Sequence, residues 1–262
     1  MKKLLAHTLT AAIVVLMTAC GSKYNIQGSS NITALDGHKL YLKVLTTDKM
    51  KVIDSCEVIH GEFHFSGNYD STCMAHLYMD DSHIMPVVIE EGDISLQLDL
   101  AQQSSGGTPM NDSLSSFLEQ YNQLISQRRE LVHRHDQAIM DGSNMDLVYT
   151  MLATEESRLA AQEDSLVTDF VTNNYDNVLG PGIFFLMTMN QPYPQLTPWV
   201  EYIMSKATDA FRDDVYVKEY YSKAQENQNI MNGLTSPAAT SSQASPTSTP
   251  SPTEEQPDKT QE

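Results

Sequence analysis

Cysteine is scarce in this sequence, and cations are scarcer than acids. Only three cysteines occur in 262 residues and no two form a C-x-x-C, so thioredoxin-type exchange has no motif to run on. Lysine and arginine number 16 against 34 aspartates and glutamates. Such a chain repels phosphate backbones, which excludes nucleic acid as a partner. It has no G-x-S-x-G elbow for a nucleophilic serine and no glycine loop placed to cradle phosphate. No internal repeat is visible.

What is present begins with an address. Lys2 and Lys3 precede a short apolar run, Leu9 to Met17, ending in Leu16-Met17-Thr18-Ala19-Cys20. The run is too short to span a bilayer and reads as an export signal over residues 1–19. Its last five residues resemble a lipobox, with Met17 where leucine is usual. That resemblance implies an acylated (palmitate-bearing) Cys20 at the mature terminus, and stable anchoring by more than one chain. Gly21-Ser22-Lys23 carries no acid directly behind the cysteine. By the same resemblance this implies the outer membrane, on its periplasmic face.

Residues 24–100 alternate apolar and polar side chains in short runs, broken by turns such as Asp36-Gly37 and Glu91-Gly92. Seven antiparallel strands are expected there, as a small β-sandwich or partly open barrel. Residues 101–110 read as a linker. The period then lengthens to about 3.6 over 111–232, with an apolar stripe through Leu114, Phe117, Tyr121, Leu124, Leu131 and Ile139. Asp141-Gly142-Ser143-Asn144 interrupts it, and Ser143 with Asp146 suggests a capping box opening a second long helix. An antiparallel helical hairpin and three shorter helices, at 182–189, 198–211 and 214–230, are expected. The class is therefore α+β. Residues 233–262 are rich in Ser, Thr and Pro and poor in apolar side chains, the composition of a disordered tail.

The residues that invite a metal or redox reading lie in Ile53–Phe65, "IDSCEVIHGEFHF". With His60-Gly61 as a two-residue loop, Ile59 faces Glu62, Glu57 faces His64 and Cys56 faces Phe65. Cys56 and His64 then point to opposite faces, and one ion cannot collect both. Cys56 and Cys73 read as small buried hydrophobes. The alternative, a Cys56–Cys73 disulfide, requires strands within about 6 Å at those residues. His133 and His135 sit roughly 200° apart on a helix. Asp80-Asp81-Ser82-His83 and Glu90-Glu91-Gly92-Asp93 read as solvated turns. Trp199 with Tyr193 and Tyr202 is either a helix-packing cluster or an aromatic sugar platform. No cofactor, metal or catalytic residue is assigned.

Several segments in order, "YNIQGSS", "LDGHKLYLKV", "KVIDSCEVIHGEFHFSG", "PVVIEEGDISLQLD" and "GTPMNDSLSSF", resemble the domain of unknown function 4369. That domain is found in envelope lipoproteins, commonly ahead of a thiol-disulfide oxidoreductase domain of the AhpC/TSA, TlpA-like group. The resemblance covers 24 to about 120. The W-C-x-x-C of those longer proteins is missing here, so no catalytic residue carries over. The expectation is a lipid-anchored, non-catalytic binding or scaffold protein with an envelope-protein partner. The alternatives are an accessory of a periplasmic thiol-disulfide system and a carbohydrate-binding or hydrolytic module.

Overall fold

Alternation along the first strand sets the architecture. In β1 (Ser22–Ser30), Tyr24 and Ile26 are buried while Lys23, Gln27 and Ser29 face solvent. The computed structural model describes residues 22–46 and 49–234. The expected export signal, Cys20 and residues 235–262 of the expected tail lie outside the described residues. Ser22 and Lys23, expected as tether, belong to β1.

β2 (Lys39–Leu45), β3 (Met50–Glu57), β4 (Glu62–Tyr69), β5 (Cys73–Met79), β6 (Ser82–Ile89) and β7 (Gly92–Leu98) complete the seven expected strands. An eighth, β8 (Gln103–Gly106), occupies part of the expected linker. Two four-stranded sheets result, β4-β1-β7-β8 and β3-β2-β5-β6. Their inner faces enclose one core that includes Ile26, Leu40, Leu42, Phe65, Leu77, Ile89, Ile94 and Leu98. The sheets are not purely antiparallel, since β1 pairs with β7 in parallel, Ile26 opposite Ile94.

The expected two-residue turn is present. His60 (φ 53) and Gly61 (φ 77) both take the left-handed conformation a tight hairpin turn needs, and Ile59 and Glu62 exchange both backbone hydrogen bonds. The ladder expected beyond it is absent. Glu57 pairs with Lys39 and Cys56 with Leu40 on β2, whereas His64 pairs with Gln27 and Phe65 with Ile26 on β1. The turn is a corner that passes the chain from one sheet to the other. Val58, Phe63 and Phe65 still point into the core. The ring of Phe63 fills the place where a side chain on Gly28 would stand, so β1 needs glycine there.

The long helices are α1 (Pro109–Met140) and α2 (Met145–Asn173). Asn144, not Ser143, caps α2, its side chain accepting from the backbone of Asp146 and Leu147. The shorter helices are α3 (Leu179–Thr188), α4 (Pro198–Lys206), α5 (Asp209–Asp213) and α6 (Val215–Met231). The helix expected over 198–211 is split, because Ala207 turns extended (ψ 140) and Thr208 starts a new cap. Only the half of the α1–α2 hairpin nearest the sheets joins a core. Ile139, expected on the buried stripe, is exposed, and farther out Arg128 pairs with Glu156 and Glu163 across the seam.

The helices dock on the outer face of β3-β2-β5-β6. Val88 enters the helical core, Met74 packs where Gly182 leaves space, and His76 meets Phe185 edge-on with centroids 5.0 Å apart. Asn111, fully buried in the first turn of α1, holds this docking through hydrogen bonds. Its Nδ2 donates to Val88 O (2.8 Å) and Thr108 Oγ1 (2.9 Å), and its Oδ1 accepts from Val88 N (2.9 Å). Glu90, expected in a solvated turn, is buried and accepts from the backbone of Met110 (3.0 Å) and Asn111 (3.2 Å), so that a carboxylate sits at the helix N-terminus.

Asn111→Leu keeps the volume but strands the N–H and C=O of Val88 in the dry junction. At about 1–3 kcal/mol for each unsatisfied group, a loss of about 3 kcal/mol is expected, read as a lowered urea midpoint.

Candidate functional site

Every second residue of the β4-β1-β7-β8 sheet points away from the core, and on this outer face the side chains form a polar grid. Pairing puts His64, Gln27, Ser95 and Gly106 in one row. The next row is Glu62, Ser29, Gln97 and Ser104, and a shorter one holds Ser66, Asn25 and Asp93. The first two rows floor an open groove of about 1220 Å³. Cys56 and Glu57 at the end of β3 border it on one side, Ile59 and His60 close one end, and Ser115 of α1 stands at the other side.

Three of these side chains are linked. Asn25 Nδ2 donates to Asp93 Oδ1 (2.7 Å), and Asn25 Oδ1 lies 2.7 Å from His64 Nε2. The expected Glu57/His64 cross-strand pair is therefore not formed, since the two belong to different sheets. Burial is the main cause that pushes the Cys56 thiol up to about 11, against a smaller opposing hydrogen bond from the His64 backbone. A thiol at that value is protonated at neutral pH and a poor nucleophile. The groove can bind through hydroxyls, amides, the imidazoles of His60 and His64 and the carboxylates of Glu57 and Glu62.

The other residues singled out from sequence do not join it. Cys56 and Cys73 are both free. Cys56 is two strands away from β5, level with Met79, and Cys73 lies at the far end of β5. At ~3.3 Å per residue the separation along the strand alone is about 20 Å, well beyond disulfide reach. Burial raises the Cys73 thiol as well. Trp199 stacks on the buried Phe184 (centroids 5.5 Å, 17° between planes) and its Nε1 donates to Thr168 Oγ1 (3.0 Å), so it packs helices, while Tyr193 and Tyr202 stay exposed. His135 meets Tyr149 across the helical hairpin, and His133 is exposed.

His83 leaves the Asp80–His83 turn to meet His76, with His83 Nε2 3.0 Å from His76 Nδ1. Periodicity gave no sign of this contact, although the pairing Tyr78↔His83 sits beside it. Burial first, and then the His83 charge, push His76 down to about 3. One neutral ring therefore donates to the other. Among the described residues no three His, Cys, Asp or Glu side chains converge as a metal set, and no helix is long and apolar enough to cross a membrane.

Residues 24–114 match the family model described as Domain of unknown function (DUF4369). The match spans the sandwich, β1 to β8, and ends in the first turns of α1 after Asn111. No curated protein matches the chain.

Two outcomes follow from these geometries. Peptide-resolved alkylation of native protein at pH 8 should modify Cys56 at least about 100-fold more slowly than an unfolded-chain cysteine, because both the thiolate fraction and access fall. His76 ionises near 6.5 when unfolded and near 3 when folded, so the unfolded chain binds more protons between these values. Its contribution is complete above pH 6.5 and is lost as pH falls towards 3. Between pH 7 and pH 5 that amounts to about 2 kcal/mol. Urea titrations at the two pH values should show this loss in the native protein and a smaller one in His76→Gln.

Proposed function

We propose that this chain is a lipid-anchored, non-catalytic binding module of the bacterial envelope, held at the periplasmic face of the outer membrane by acyl chains on Cys20. The outer face of β4-β1-β7-β8 is its working surface. One observation carries this reading: an open groove of about 1220 Å³ is floored by a continuous grid of polar side chains, and the thiol on its border is held protonated. Such a floor suits recognition by many hydrogen bonds. The partner would be another envelope component that reaches the sandwich, which an anchor so close to β1 keeps near the bilayer.

A direct thiol–disulfide role is disfavoured. Cys56 and Cys73 are free and lie at opposite ends of one sheet. The sugar platform once conceivable at Trp199 is disfavoured as well, because Phe184 covers a ring face.

The test uses the full chain expressed with its export signal. Native protein should enter the detergent phase of a Triton X-114 partition with an acylated Cys20 by mass spectrometry, and Cys20→Ala should move to the aqueous phase. Hydrogen exchange in solubilised envelope should show slowed amides in β1 and β7 relative to purified protein. An unacylated native terminus overturns the anchor, and unchanged exchange on these strands overturns the surface.

A further inference from the structure

The linked trio on the sheet face has a fixed hydrogen-bond polarity. The Asp93 carboxylate can only accept, so Asn25 must turn its NH₂ towards it; Asn25 Oδ1 then faces His64 and can only accept in turn. His64 Nε2 must carry the proton. In the neutral ring Nδ1 is left as a lone-pair acceptor, and it takes no partner among the described residues. The trio therefore fixes the tautomer that His64 brings to the groove.

We infer that the groove binds a neutral saccharide chain, and that His64, oriented by Asn25 and Asp93, is the residue that selects a hydroxyl donor on it. This rests on the reading of the sheet face as the working surface. Gln27 and Gln97 each present a donor and an acceptor, and Ser29, Ser95 and Ser104 do both through one oxygen. Neighbouring groups stand about 4.8 Å apart across strands and about 7 Å along them. Sugar hydroxyls, also donors and acceptors at once, meet such a grid without leaving either side unpaired.

Charge and shape narrow the class. The lining contains no lysine or arginine, while Glu57 and Glu62 add negative charge. Phosphorylated, sulfated or uronate ligands are repelled. A peptide laid across a sheet face, away from the edge strands where main-chain pairing could hold it, depends on apolar anchors seated in pockets, and the floor has none, Phe63 being 5% exposed. Ile59, exposed at the closed end, offers one apolar contact for a ring face. The groove is open and larger than the 300–1,000 Å³ usual for a small-molecule site, which suits a chain lying along it. With no exposed aromatic ring to stack on, binding is weak for each site.

Full-length protein is titrated with maltotetraose, cellotetraose and chitotetraose, and with tetragalacturonate as the anionic control. Heteronuclear NMR follows the amides of β1, β4 and β7. At least one neutral tetrasaccharide should shift these resonances saturably, with tetragalacturonate at least 10-fold weaker. His64→Leu should weaken binding at least 10-fold. Asn25→Leu, which frees the ring without touching the ligand, should weaken it about 3-fold; both variants lie on an exposed face and should keep the native spectrum elsewhere. Equal binding of the anionic sugar, or unchanged affinity in His64→Leu, overturns the inference. Slowed exchange of β1 and β7 in envelope with no response to any tetrasaccharide overturns the ligand class but leaves the surface standing. No response in either experiment overturns both.

Discussion

The structure depends on one strand being paired on both sides. β1 takes β4 antiparallel and β7 in parallel, and each partner comes from a chain segment that returns from the other sheet. Inward, Tyr24 and Ile26 seal the sandwich, and Gly28 admits the Phe63 ring. Outward, Asn25, Gln27 and Ser29 become the middle column of the polar grid. A shift of β1 by one residue would exchange these faces, so the register that secures the core is the same one that assembles the groove. The Tyr24 hydroxyl strengthens that register from the inner side by donating to Asp54 of the other sheet (3.3 Å), while burial pushes its own ionisation up to about 12.

The two outer faces of the sandwich then diverge. On the β3-β2-β5-β6 sheet the outer face is dry along β5 and β6, because Met74, His76 and Val88 meet the helices, and polar groups there are satisfied by Asn111, Glu90 and the His76–His83 pair; along β3 and β2, Lys39, Val52 and Glu57 stay exposed. The β4-β1-β7-β8 face stays wet. Covering the β5–β6 side fixes the helical part against the sandwich and leaves the β4-β1-β7-β8 face as a continuous uncovered sheet surface. Only the start of α1 reaches it, through Ser115. The far half of the α1–α2 hairpin, where Val132, Ile139 and Met151 are exposed, lies beyond the sheets and takes no part in either face.

Strands and helices were legible because period two and period 3.6 are strong signals over residues 24–100 and 111–232. Partners were not. Val58, Phe63 and Phe65 turn inward whether β3 and β4 pair with each other or each with a neighbour in its own sheet, so alternation cannot tell a ladder from a corner. β8 was missed because Gln103-Ser104-Ser105-Gly106 has no β-branched or aromatic residue, and its strand is formed by pairing with β7. Glu90 looked like a turn acid because nothing local reveals that a helix N-terminus twenty residues on will cover it. Ser143 and Asn144 are both good caps, and backbone geometry chose the second. Cys56 and Cys73, read from alternation as small buried hydrophobes, pack against the sandwich core but are only half-buried, because each lies near the end of its strand.

The groove was the least legible feature, and the reason is physical. Polar residues at alternate positions of a strand are what any solvated face shows, so Gln27, Ser29, Ser95 and Gln97 carry no signal one strand at a time. Information appears only when pairing sets the strands side by side. The rows then place an acid, an amide and an imidazole within hydrogen-bond reach although Asn25, His64 and Asp93 lie far apart in the chain. Each link is exposed and adds little to stability, since water competes for the same groups. An ordered chain of polar groups at a surface, with one acceptor left open at its end, is costly in side-chain entropy and gains the fold little. Its value lies in what the open end can hold.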